Sequence, residues 1–118
     1  MDGRTQEPAI AWMKQRTGAE FVDSITEAGP DGILKNPDHP GLTSIIERIL
    51  ISRDKHGSRT LALIAHYDCA GNPGEREMHL QHLQQARKTL SGKDLGMEFL
   101  SLWIDENWEV QVISEGTI

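Results

Sequence analysis

Residues 66–69 of this 118-residue chain read His66-Tyr67-Asp68-Cys69. Imidazole and thiolate are both good zinc ligands, and two intervening residues in a turn let both point at one ion. One His-x-x-Cys is half a site, because zinc takes further ligands. The bland alternative is a buried cysteine and a histidine that happens to follow a strand. Cys69 is the single cysteine, so it cannot close a disulfide within the chain, and nothing points to an oxidising compartment.

A nucleophilic reading of Cys69 has to be weighed as well. A cysteine after a strand, a glycine turn and Arg76 at a helix start together suggest a phosphate loop. Against it, Asp68 beside the nucleophile repels phosphate, and Pro73 removes one of the loop's N–H donors. Six residues also separate Cys69 from Arg76, one more than in the tyrosine-phosphatase pattern.

The elements that must position this motif alternate along the chain. Thr5 can cap a helix over residues 6–17, with Pro8 in its first turn and Gly18 at its end. Residues 21–26 read as a short strand, and residues 29–41, rich in proline and glycine, as a loop. Leu42, Ile45, Ile46 and Ile49 form an apolar stripe on a helix over 42–55 that Gly57 ends. The run Thr60-Leu-Ala-Leu-Ile-Ala65 suits a strand buried on both faces of a parallel sheet. A helix follows at 75–91 with Leu80, Leu83, Ala86 and Leu90 inward, then a strand at 99–104 and a half-exposed edge strand at 108–113.

This order predicts one α/β domain over residues 1–118: a doubly wound, mainly parallel sheet flanked by helices, with a C-terminal edge strand. Ligands of such sheets bind at the carboxyl ends of the strands, where His66 and Cys69 fall. The net charge of −6 disfavours a nucleic-acid-binding face and anionic membrane surfaces. No apolar run approaches the roughly 20 residues that span a bilayer. The start, Met1-Asp2-Gly3-Arg4, carries no apolar signal segment, so a cytoplasmic location is expected.

With these residues in view, the chain resembles the β-class carbonic anhydrases. That family carries Cys-x-Asp-x-Arg at the end of its first strand and His-x-x-Cys at the end of a later one. His66-Tyr67-Asp68-Cys69 matches the second motif, and Asp2-Gly3-Arg4 matches the tail of the first. The chain is similar to small, divergent carbonic-anhydrase-like proteins with His-x-Asp-Cys-Ala-Gly-Asn-Pro in the middle. The first motif's cysteine would fall one position before Met1, and the family's first, central strand would precede it too. The resemblance therefore implies a longer native chain or a truncated, inactive relative.

The resemblance implies Zn2+ held by that absent cysteine, His66 and Cys69, with Asp2 as a ligand when the site is closed. It implies hydration of carbon dioxide to bicarbonate, a lyase reaction, with Asp2 and Arg4 paired as the catalytic dyad. Asp68, Asn72 and the backbone of Ala70 and Gly71 would support the ligands. It also implies a homodimer or larger homo-oligomer. Hydrolysis of carbon disulfide or carbonyl sulfide is the nearest rival activity, and a catalytically inactive homo-oligomer is the rival of another class. Of the remaining candidates, Asp2 and Arg4 read without the motif as a frayed terminus, and Tyr67 as a residue packed near the pocket. His79 and His82, three apart on a helix, read as surface histidines. His39 and His56 read as loop and helix-end residues, and the tryptophans as core or interface.

Overall fold

A computed structural model describes residues 1–118. Helix α1 spans Gly3–Thr17, α2 Pro30–Leu34 and α3 Leu42–His56; strand β1 Thr60–His66 follows, then α4 Arg76–Ser91, β2 Glu98–Ile104 and β3 Val110–Thr117. The sheet order is β1-β2-β3. β1 pairs with β2 in parallel, with His66 opposite Ile104, and β2 pairs with β3 antiparallel. A register shift interrupts the second pair between Ser101 and Leu102.

β2 is the centre of the sheet, and its alternation fills both faces. Phe99 and Trp103 join Leu63, Ala65 and the apolar stripes of α3 and α4 in the larger core. Leu100 and Leu102 face the other way, against Met13 of α1, with Trp12, Val22 and Ile64 around them. Helices therefore cover both faces, as the alternating pattern predicts. The strongest stripes hold their places: Leu42, Ile45 and Ile49 on α3, and Leu83, Ala86 and Leu90 on α4, are all buried.

Four expectations need correction. The doubly wound, mainly parallel sheet is realised only as a mixed three-stranded one, with one parallel and one antiparallel pair. Residues 21–26 form no strand. No backbone group of residues 21–27 pairs with another inside the chain, except that the Glu27 carbonyl accepts from the Met1 ammonium at 3.1 Å. An extended, β-prone segment becomes a strand only when a neighbour meets its N–H and C=O groups. Here a groove of about 610 Å³, lined both by residues 21–27 and by β1, lies where such a neighbour would be. β1 is thus an edge strand, and its first half is only partly buried rather than enclosed on both faces. Finally, the loop over 29–41 contains α2, which starts at Pro30 behind a left-handed Gly29 (φ 66°). A proline is tolerated in a helix's first turn, so the same residue that marks a loop opens this helix.

No helix is long and apolar enough to cross a membrane.

The placement of β2 makes a direct prediction. Phe99 is fully buried, whereas Val112 on β3 is 42% exposed. Phe99→Ala should destabilise the fold by about 3–5 kcal/mol, and Val112→Ala should change it by no more than about 0.5 kcal/mol. Urea denaturation of the two variants checks the difference.

Candidate functional site

The parallel pair ends β1 and β2 at the same level. The Tyr67 N–H donates to the Ile104 carbonyl at 2.8 Å, which carries the ladder one residue past β1. The chain then turns at Asp68, whose φ of 56° lies in the left-handed region that aspartate tolerates better than most residues. Cys69 follows, buried and free.

His66 is also buried, and its Nδ1 lies 2.7 Å from the Tyr67 carbonyl oxygen. A carbonyl only accepts, so Nδ1 is the donor in this contact and Nε2 is the ring nitrogen left for another partner. Metal-binding histidines are commonly fixed in this way by a carbonyl on the other ring nitrogen. The side chain of Tyr67 itself is 48% exposed and does not pack inward.

Asp2 and Arg4 are not a frayed terminus. The Asp2 carboxylate caps α1 by accepting the Arg4 N–H at 2.9 Å. The Arg4 side chain folds back on it, with Nη2 to Oδ2 at 2.6 Å. Arg4 also reaches the site loop, donating from Nη1 to Asp68 Oδ2 at 3.1 Å and from Nη2 to the Asp68 carbonyl at 3.2 Å. Its guanidinium lies 4.7 Å from the centre of the Trp108 ring. Arg4 therefore ties the start of α1 to the residue before Cys69 and to the loop after β2. The side-chain and backbone hydrogen bonds from Arg4 hold the Asp2 carboxyl well below the usual carboxylate range, and the nearby His66 adds a smaller pull in the same direction.

The donors of a complete metal site are not gathered: no group of three or more His, Cys, Asp or Glu side chains could hold an ion. The two chain donors at the motif, an imidazole and a buried thiol, suit zinc in type but not in number. The Asp2 carboxylate is engaged by Arg4.

Elsewhere, the expectation that His79 and His82 are surface residues is wrong: they are 0% and 9% exposed. Helix α2 packs on α4 and covers that face. His79 Nδ1 lies 2.6 Å from Asp31 Oδ2, and the ring sits 5.3 Å from that of Trp103. Asn72, at the far end of the site loop, donates from Nδ2 to Asp31 Oδ2 at 3.0 Å and approaches His82 Nδ1 at 2.9 Å. Burial, followed by the charge of Lys35, lowers the pKa of His82. His56, at the end of α3, pairs with Asp23 at 2.6 Å, and His39 Nδ1 accepts the Gly41 N–H. Sequence reasoning missed Asp31, whose partners lie 41 and 48 residues away. It also missed Asp105, whose carboxylate accepts from the backbone of Asn107 and Glu109 and from the Gln111 side chain. Those bonds, that from Glu109 foremost, lower its pKa.

The chain matches, over residues 1–114, the family described as "Putative carbonic anhydrase". It belongs to that family, which makes it a carbonic-anhydrase-like protein. No curated protein and no solved structure matches it.

The Asp2–Arg4 pair sets the sign of one pH dependence. The Asp2 pKa is depressed in the folded state. The pair's contribution is therefore fully present above the unfolded value and is lost as the pH falls through the lower folded value. A carbon-13 NMR titration should show the Asp2 carboxyl still ionised at pH values where free aspartate is largely protonated. Arg4→Ala should bring it back toward the ordinary range.

Proposed function

We propose that this member of the carbonic anhydrase family hydrates carbon dioxide to bicarbonate with one Zn2+, held in part by His66 and Cys69. The observation that carries the reading is the orientation of His66. Its Nδ1 is committed to the Tyr67 carbonyl and its Nε2 is free, at the carboxyl end of the parallel pair and three positions before a buried thiol with no partner. When bound, zinc supplies a Lewis acid that lowers the pKa of water to around 7.

The chain's own residues do the rest. His66 and Cys69 would bind the metal. Arg4 keeps the Asp2 carboxylate ionised and oriented. A carboxyl with so low a pKa does not hold a proton at neutral pH, so Asp2 acts as a hydrogen-bond acceptor that orients the attacking water. Through Asp68, Arg4 also steadies the loop beside Cys69. Asn72 and the backbone of Ala70 and Gly71 complete that support.

A third ligand is required, since a catalytic zinc normally keeps three protein donors and one open position. In this reading it is a cysteine just before Met1, at the end of a strand that pairs with the free edge of β1. The groove along β1 supports this: Met1 and His66 both line it, so a strand entering from Met1 would end beside the site. Asp2 is the substitute ligand, at the expense of its pairing with Arg4. In the protein beginning at Met1, association into a homodimer or larger homo-oligomer is the other way to cover that edge, because an unpaired strand edge is a surface that proteins normally cover. The rival reading, a catalytically inactive homo-oligomer, rests on the incomplete donor set. Carbon disulfide or carbonyl sulfide is the alternative substrate for the same site.

Zinc content and stopped-flow carbon dioxide hydration test the proposal on the protein beginning at Met1 and on a form extended upstream through the cysteine. The extended form should hold about one zinc and hydrate carbon dioxide about a hundredfold faster, the scale of a misplaced catalytic group. His66→Ala and Cys69→Ser should each weaken zinc binding, since each removes one ligand. Equal, high rates in both forms would show that the cysteine is dispensable. A zinc-loaded but inactive extended form would favour the inactive protein or another substrate.

A further inference from the structure

The geometry points to a buried clamp, Asp31 with His79 and His82, that holds the loop of residues 67–72 in place through Asn72. The inference rests on the zinc reading only for what the loop carries.

Asp31 is wholly buried at the start of α2, and His79 is wholly buried on α4. A buried pair of this kind is a poor source of stability, because taking the charge out of water costs about as much as the pairing returns. This pair is also incompletely satisfied: Asp31 Oδ1 and His79 Nε2 are buried without a partner. Stability alone does not explain why a carboxylate is spent here. Its geometry does. Asp31 Oδ2 accepts from His79 Nδ1 at 2.6 Å and from Asn72 Nδ2 at 3.0 Å. A carboxylate is the acceptor that takes two donors on one oxygen most readily.

Asn72 is the residue being held. Its amide nitrogen has two hydrogens and two polar neighbours: Asp31 Oδ2, and His82 Nδ1 at 2.9 Å. That fixes the amide's orientation, while Lys35 Nζ approaches the other ring nitrogen of His82, Nε2, at 3.3 Å. The backbone leaves no slack. A Cβ on Gly29 would fall 2.6 Å from Asn72 Cβ, and one on Gly32 would fall 2.8 Å from Asn72 Cγ. A Cβ on Gly71 would fall 2.4 Å from the Ala28 carbonyl carbon. The loop is thus seated directly on the start of α2.

The other end of the loop is fixed by the Tyr67 N–H on Ile104. His66 and Cys69 therefore lie on, or next to, a segment pinned at both ends. His79 is itself set against Trp103, whose register partner is Ala65, the residue before His66. Asp31, His79 and His82 are positioning residues: they touch no ligand donor and act through Asn72.

The test uses Asn72→Ala and Asn72→Asp. The second keeps the shape, removes both donors and sets a carboxylate against Asp31. Hydrogen exchange on the zinc-free protein reads the loop, and competition with a chromophoric chelator reads zinc affinity. In both variants, exchange of the Tyr67 amide, the loop's hydrogen-bonded N–H, should quicken at least tenfold while that of β2 stays unchanged. Zinc should bind 10–100-fold more weakly, as when a supporting hydrogen bond to a metal site is lost. Asp31→Asn, which keeps one acceptor, should fall between the natural protein and Asp31→Ala. Unchanged loop exchange, or an equal rise in β2 that marks general loosening, would overturn the clamp. If exchange responds but the form extended upstream through the cysteine binds no zinc, the metal reading fails and the clamp stands. If zinc binds and exchange does not respond, the reverse holds.

Discussion

Everything at the site depends on the parallel pairing of β1 with β2. It places His66 opposite Ile104 and hands the ladder on to Tyr67. That one extra hydrogen bond decides where β1 stops, and so where the His66 ring and the turn to Cys69 begin. It also places the Tyr67 carbonyl where His66 Nδ1 can reach it. A slip of one residue would send His66 to the opposite face. The burial of β2 on both faces resists such a slip, because every residue from Phe99 to Ile104 is buried.

Around that pair, charge is used sparingly and locally. The chain carries a net −6, yet the site loop is held by one cation, Arg4, shared between two aspartates and resting on Trp108. On the far side of the same loop a buried carboxylate does the holding. The two devices differ in kind. The Arg4 pairs are partly exposed, are screened by salt and orient more than they stabilise. The Asp31 contacts are dry, so breaking one would leave a buried polar group without a partner.

Much of this was legible in the sequence where local pattern and tertiary role agree. The stripes of α3 and α4, the apolar runs of β1 and β2, and the His-x-x-Cys turn at a strand's carboxyl end all reappear in place. Legibility fails where the deciding partner is distant. Residues 21–26 have strand composition, but composition cannot say whether a neighbouring strand is there to pair with them. Pro30 and Gly29 signal a loop by type, while the same residues open α2. His79 and His82 flank the apolar stripe of α4, and only the docking of α2 turns that flank into interior. Asp31 carries no local mark, because its role exists only once three separate segments meet. At the terminus, composition alone reads Asp2 and Arg4 as solvated, whereas the family pattern anticipates the ion pair that forms.

The central claim is that His66 and Cys69 bind one metal ion together. Zinc K-edge X-ray absorption on the zinc-loaded protein tests it most directly. The account predicts imidazole nitrogen at about 2.0–2.1 Å and sulfur at about 2.3 Å in the same spectrum, with the imidazole signal lost in His66→Ala and a sulfur scatterer lost in Cys69→Ser. A shell of oxygen and nitrogen alone, unchanged by either substitution, would contradict it.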